Sequence, residues 1–200
     1  MKHLQPPALP ALILIDIQEG FQQLHYFGGE RNNPDAELYA GVLLQHWRDR
    51  QWPIFHVKHC SVMPGSPLTE GTPGNEFQAV VKPLPGEPVI KKSVNSAFIG
   101  TDLQQQLEAR GIQTVVLAGL ITQHCVSTTA RMAGNYGFKT YVVSNATAAF
   151  RSTGPDGESH SPDLVHAVSL ATIHREFATV LTAHDVLAVL ADAHAQVHAL

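Results

Sequence analysis

Cysteine is scarce in this chain: Cys60 and Cys125 are the two in 200 residues. That is too few for a disulfide framework, so each thiol is judged separately as core filler or reactive group. Charge is sparse too. Asp, Glu, Lys and Arg make up 15% of the residues, and 13 Lys+Arg against 17 Asp+Glu leave a formal net charge of −4. The broad positive field that gathers polyanions is missing, which argues against a nucleic-acid partner and against a polybasic membrane patch. No stretch approaches the ~20 apolar residues that cross a bilayer. The segment Met1-Lys2-His3-Leu4-Gln5-Pro6-Pro7 offers no apolar signal core ahead of Pro10. A cytoplasmic protein is expected. Charge blocks, low-complexity tracts and repeats of ~20–50 residues are also absent, which excludes a solenoid.

What is present is apolar material, 44% of 200 residues, enough for one domain over 1–200 with a core over 11–190. Short β-branched runs at 11–15, 53–57, 89–90, 114–118, 140–143 and 179–181 are too uniformly apolar for half-exposed strands. Between them lie helical patterns at 35–50, 101–110, 122–136, 161–177 and 183–194, the second opening on Thr101 as N-cap and closing on Gly111. Strand alternating with helix predicts a three-layer α/β/α fold around a mostly parallel, doubly wound sheet of about six strands. The segment 63–88 breaks the rhythm with Pro64, Pro67, Pro73, Pro83, Pro85 and Pro88. A loop this long inside a compact domain is usually functional, and it is expected to pack over the strand ends as a substrate wall.

In doubly wound sheets ligands bind outside the carboxyl ends of the strands. The first strand ends in Asp16, the third runs into Lys91-Lys92, and the fourth passes through Gly119 into a helix whose first turn holds Cys125. A thiol near a helix N-terminus and beside a cation has its thiolate stabilised. A neighbouring carboxylate can take the thiol proton and return it to a leaving nitrogen, while backbone N–H groups hold the oxyanion. Each residue alone also has a plain reading: Asp16 as a turn residue, Lys92 as a solvated lysine, Cys125 as buried filler.

Four segments together carry more. They are Asp16-Ile17-Gln18 with Phe21; Lys92 before Ser96-Ala97-Phe98 and Gly100-Thr101-Asp102-Leu103; Gly119-Leu120-Ile121-Thr122-Gln123-His124-Cys125-Val126 with Thr129-Ala130-Arg131; and Val142-Val143-Ser144-Asn145-Ala146-Thr147-Ala148. In order and spacing the chain resembles the isochorismatase-like cysteine hydrolases, which include nicotinamidases, N-carbamoyl amidases and streptothricin hydrolase. The resemblance implies Asp16 as general base and acid, Lys92 as the cation and Cys125 as the nucleophile. It also implies a non-proline cis peptide at Leu120–Ile121, with the Ile121 and Cys125 N–H groups as oxyanion hole. A homo-oligomer, dimer or tetramer, is implied as well.

Three positions depart from the family pattern. Ile121 stands where alanine is frequent, and Asn145 replaces an aspartate. His56-Val57-Lys58-His59-Cys60 lacks the Asp-x-His pair through which nicotinamidases bind metal. No metal and no organic cofactor are therefore expected. His56 and His59, three apart, fall on opposite faces of a strand, so His56 reads as structural, while His59 at the strand end can touch substrate. Gln18, Phe21, His59, Phe98 and His124 are the candidate substrate-binding residues; Phe21 and Phe98 read equally well as core. His194 and His198 share a helix face and read as a solvated tail.

The function expected is hydrolysis of a C–N bond, amide, lactam or carbamoyl, in a small molecule, with water as second substrate and a cysteine acyl-enzyme. An isochorismatase-type vinyl ether hydrolase using Asp16 as general acid is the first alternative, and a silent ligand-binding scaffold the second. A dinucleotide-binding protein is disfavoured because Gln18-Glu19-Gly20-Phe21 stands where Gly-x-Gly-x-x-Gly would follow the first strand.

Overall fold

A computed structural model describes residues 9–198, with side chains as far as Ala191. The N-terminal segment read for a targeting signal and the side chains of His194 and His198 lie outside the described residues. The chain forms β1 (Ala11–Ile15), α1 (Ala36–Asp49), β2 (Ile54–His59), β3 (Val89–Lys92), α2 (Leu103–Ala109), β4 (Thr114–Leu120), α3 (Ser127–Asn135) and β5 (Lys139–Ala148). A small ribbon, β6 (Ser152–Thr153) with β7 (Ser159–His160), precedes α4 (Pro162–Ala171), β8 (Thr179–Leu181) and α5 (Ala183–His198). No described helix is long and apolar enough to cross a membrane.

The six-stranded sheet runs β3-β2-β1-β4-β5-β8, parallel throughout. Alternate residues of each strand feed two cores. Ile13, Ile15, Phe55, Val57, Val115 and Leu117 meet α2, α3 and α4 through Leu103, Leu107, Ala130 and Leu170. Leu12, Leu14, Ile54, Val116 and Ala118 meet α1 and α5 through Leu43, Leu44, Trp47 and Val186. Burial on both faces is why these strands read as continuous apolar runs. Strand order reverses between β1 and β4, and the crevice at that point opens above their carboxyl ends.

Several boundaries differ from expectation. The helix expected over 161–177 stops at Ala171, and Arg175 then takes a left-handed backbone (φ 72°) that helix cannot continue through. Asp102, not Thr101, occupies the cap position of α2; the Thr101 hydroxyl donates to the Ala97 carbonyl at 2.6 Å. The helix expected over 122–136 splits into a π-turn, Thr122–Val126, followed by α3, and such turns gather at functional sites. The proline-rich stretch contains two short 3₁₀ turns, Pro73–Asn75 and Ala79–Val81. Its first part folds over the strand ends, and Asn75 is fully buried, donating to the His59 and Leu68 carbonyls at 2.8 and 2.9 Å.

Candidate active site

Gly119 sets the geometry at the end of β4. Its φ is +126°, and a Cβ there would lie 2.0 Å from the Ile15 carbonyl oxygen. Only glycine lets β4 pass so close to β1 in this conformation. Immediately afterwards the Leu120–Ile121 peptide is cis, and the chain enters the π-turn that carries Cys125. Across the crevice Asp16 leaves β1 with φ 52°, its N–H held by the Val57 carbonyl at 3.0 Å. On β3 the burial alternates, so Lys91 faces solvent and pairs with Glu70 while Lys92 points inward.

These three strand ends place one ammonium at the centre. Lys92 Nζ donates to Asp16 Oδ2 at 2.6 Å, to His59 Nδ1 at 2.9 Å and to Cys125 Sγ at 3.2 Å. Because the ammonium has no acceptor, His59 Nδ1 must accept, which leaves the His59 hydrogen on Nε2. The side chains of Lys92 and Asp16 are wholly buried, and Asp16 Oδ1 has no hydrogen-bond partner. The Cys125 thiol also reaches Asn95 Oδ1 at 3.8 Å.

The charges in this cluster are strongly coupled. Burial pushes the Cys125 thiol above its usual range, the Asp16 carboxylate pushes it further, and Lys92 opposes both without prevailing. This corrects the expectation that cation and helix start would depress the thiol: the sulfur is buried, and desolvation penalises the thiolate more than one shared ammonium helps it. Burial also works against the Lys92 charge, but Asp16 and Cys125 outweigh it and the amine is held above its ordinary value. Burial and then Lys92 push His59 down, and burial does the same to His124. The resting cluster is thus an Asp–Lys ion pair beside a protonated thiol and a neutral imidazole.

Asp16, His59 and Cys125 offer ligand atoms within 4.8 Å of one another, a set that would suit a metal by donor type alone. The Lys92 ammonium contacts all three and occupies the place a cation would take. The donor set therefore does not fit a metal while Lys92 is charged.

A cleft of about 340 Å³ opens above the cluster. Phe21, Phe27 and Tyr26 form one wall, with Phe21 stacked on Phe27 at 4.6 Å between centroids. Leu68 and Ser66 of the proline-rich stretch also line it, as do Ile121 and, from the π-turn, Gln123 and His124. Two predicted contacts are placed elsewhere. Phe98 packs in the core, stacked on Phe138 and edge-on to Tyr136, because its segment turns away from the crevice into α2. Gln18 is fully buried and clamps the His59 backbone, accepting from its N–H at 2.9 Å and donating to its carbonyl at 3.1 Å. It positions His59 and does not line the cleft. His56 lies at the other end of β2 with its Nε2 2.8 Å from Glu87.

Other residues escaped the sequence reading. Asn95, Gln123 and Arg151 line the cleft; Gln123 belongs to the Gly119–Val126 motif without a role read for it, Asn95 falls in the gap between Lys92 and Ser96, and Arg151 carried no signal. Gln123 Nε2 donates to the Phe150 carbonyl at 3.4 Å, leaving its buried Oε1 without a partner.

The Isochorismatase domain family matches residues 10–185 of this chain. The chain belongs to the isochorismatase family. It is 43% identical to the isochorismatase family protein YrdC of Bacillus subtilis over 88% of this chain and 94% of that one. It is 30% identical to maleamate amidohydrolase of Pseudomonas putida over 89% of this chain and 85% of the relative. An isochorismatase-family structure from Chromobacterium violaceum superposes with a TM-score of 0.88 at 41% identity, covering 94% of this chain and 98% of the other. The chain is thus a hydrolase of this family, whose relatives include amidohydrolases. Of its departures, Ile121 is buried in an apolar cluster with Phe21, Leu68 and Phe150 and lines the cleft. Asn145 Oδ1 accepts the Ala183 N–H at 2.8 Å, a backbone bond for which the amide oxygen serves without a charge.

Proposed function

We propose that this protein is a metal-independent cysteine amidohydrolase acting on a small carboxamide. The observation that carries the reading is the single buried ammonium touching both a thiol and a carboxylate whose second oxygen is unpaired. As a carboxamide binds, Cys125 Sγ attacks its carbonyl carbon while the thiol proton passes to Asp16. The oxyanion rests on the Ile121 and Cys125 backbone N–H groups. When the C–N bond breaks, Asp16 returns that proton to the departing nitrogen and ammonia or an amine leaves a thioester on Cys125. Water then attacks the thioester carbon, Asp16 accepts its proton, the C–S bond breaks, and the proton returns to sulfur as the acid product departs. Lys92 keeps its charge throughout, and its hydrogen bonds to Asp16 Oδ2 and Cys125 Sγ hold the two groups side by side.

The raised thiol suits this sequence, since the nucleophile forms only as its proton is handed over in the dry cleft. Asp16 and Gln123 both line the cleft and each keeps a buried side-chain oxygen without a hydrogen-bond partner, which suits a ligand that brings N–H donors. The test is ammonia release from a panel of small amides by wild type and Cys125→Ala, with thermal melting as a check on folding. The variant is expected to melt like wild type and release no ammonia. An undiminished rate would refute the acyl-enzyme and leave proton donation by Asp16 as the chemistry.

A further inference from the structure

A polar chain that the proposed reaction does not use holds the first residue of the nucleophile turn. Thr122 opens the π-turn that carries Cys125, directly after Ile121, and is fully buried outside the cleft lining. Its Oγ1 lies 2.9 Å from His166 Nδ1 on α4 and 3.0 Å from Thr147 Oγ1 on β5. Thr147 reaches this place because β5 bulges: Val142 pairs with Leu117 but Thr147 with Gly119, so β5 carries extra residues over that interval. Asn33, left-handed at φ 43°, closes the bulge by donating from Nδ2 to the Ser144 and Thr147 carbonyls at 3.0 and 2.8 Å. The count of hydrogens then fixes the direction of the chain. Both Asn33 amide hydrogens go to those carbonyls, so His166 Nε2, 3.4 Å away, receives neither. The ring instead donates to the Ser144 carbonyl, which places its hydrogen on Nε2 and leaves Nδ1 to accept from the Thr122 hydroxyl. Thr122 Oγ1 in turn accepts from Thr147. Burial keeps the imidazole low in its affinity for a proton, against the Ser144 bond and the Asp163 charge.

We infer that His166 is a positioning residue for the reaction: by accepting from Thr122 it clamps the nucleophile turn to α4, and so sets where the Cys125 sulfur and the Ile121 N–H stand relative to Asp16 and Lys92. His166, Thr147 and Asn33 are all absent from the cleft lining, so the clamp acts on the rate of the chemical step and not on substrate binding. A misplacement of ~1 Å at the reacting atoms costs about 10²-fold in rate. The inference rests on the amidohydrolase reading for its turnover readout, while the clamp itself stands on the bond between Thr122 and His166.

The test measures kcat and KM for the best amide of the panel, and the rate of Cys125 labelling by iodoacetamide at one pH, in wild type, Thr122→Val, Thr122→Ser, His166→Leu, His166→Asn and the double variant Thr122→Val/His166→Leu. Each is assayed well below its melting temperature. Valine keeps the shape of threonine without the hydroxyl, and the asparagine Oδ1 can accept where His166 Nδ1 does. In Thr122→Val and His166→Leu, kcat is expected to fall roughly 10- to 100-fold with KM held within about 2-fold. Most of that loss is expected to be recovered in Thr122→Ser and His166→Asn, and the double variant should lose no more than either single one, because both act through one bond. Labelling is expected to slow roughly 3- to 10-fold in Thr122→Val and His166→Leu, as the sulfur drifts from the ammonium that favours the thiolate. His166 is half-buried on α4, so the His166 variants carry the test if Thr122→Val fails to fold. If wild type hydrolyses no amide but labelling slows in His166→Leu and not in His166→Asn, the clamp holds and the amidohydrolase reading fails. If amides are hydrolysed and His166→Leu keeps the wild-type kcat, or His166→Asn loses as much as His166→Leu, the clamp is refuted while amide hydrolysis stands.

Discussion

Replacing Asp16 with asparagine is expected to move two properties of Cys125 in opposite directions. The carboxylate lies within 4.8 Å of the thiol, and at an effective dielectric of ~20 a unit charge at that distance is worth about 3.5 kcal/mol against the thiolate. The asparagine amide dipole retains a small part of this effect. Burial is the first cause of the raised thiol and is unchanged by Asp16→Asn, whereas the carboxylate is the second and is removed. Lys92, freed from its partner, then serves the thiolate more fully. Cys125 should therefore alkylate at lower pH in the variant than in wild type. Amide hydrolysis should nevertheless fall by ~10²–10⁴, since no group remains to carry the proton to the leaving nitrogen. The assay is the pH dependence of iodoacetamide labelling at the Cys125 peptide, run beside ammonia release. An unchanged or higher labelling pKa would show that the Asp16 charge does not govern the thiol. A wild-type rate of hydrolysis would remove Asp16 from the proton path.

Lys92→Met leaves the wholly buried Asp16 carboxylate without its cation, and urea unfolding should report a loss of about 3–5 kcal/mol; a loss below ~1 kcal/mol would mean Asp16 is neutralised in another way. Gly119→Ala puts a methyl 2.0 Å from the Ile15 carbonyl oxygen, forcing β1 and β4 apart, so its melting temperature and ammonia release should both drop. Chelation by EDTA should leave hydrolysis unchanged, because the Lys92 ammonium holds the position a metal would need; loss of activity restored by a divalent ion would overturn this. Stability should be flat between pH ~6.5 and the ~8 at which the unfolded Cys125 thiol begins to ionise, and decline as pH falls below that window. Burial holds His56 under its usual 6.5 despite Glu87, so the unfolded chain takes up the proton first. Burial disfavours the Glu87 charge, but Arg48, the Leu84 N–H and His56 outweigh it and hold the carboxyl at about 2 rather than 4.5. Its contribution is therefore complete above pH ~4.5 and drains away toward 2. A urea midpoint that rose on acidification from pH 7 to 5 would contradict the His56 sign, and one that rose on further acidification from pH ~4.5 to ~3 would contradict the Glu87 sign.

The layered fold was readable because parallel strands buried on both faces have an unmistakable composition, and 11–15 and 114–118 need no partner to announce themselves. Asp16, Lys92 and Cys125 were readable as a set because strand ends are fixed by hydrophobic runs and the ends of parallel strands share one edge. Strand alternation set Lys91 and Lys92 on opposite faces, and the spacing to Ser96-Ala97-Phe98 that the family resemblance supplied singled out Lys92. What the pattern could not supply was the environment of those groups. Cation and helix start alone predict an acidic thiol; the enclosing walls reverse the sign, because desolvation depends on every residue packed around the sulfur. Phe98 and Gln18 sat in the right motifs and yet serve the core and the His59 backbone, since a motif fixes position along the chain but not the direction a side chain turns. Arg151 and Gln123 reach the cleft only through the return of β5 and the packing of the turn after Ile121, contacts between segments far apart in sequence. Local sequence thus determined the elements and the sheet edge that Asp16, Lys92 and Cys125 share, while the tertiary structure decided how deeply those groups are buried and which other residues line the cleft, because burial and long-range approach are properties of the assembled molecule.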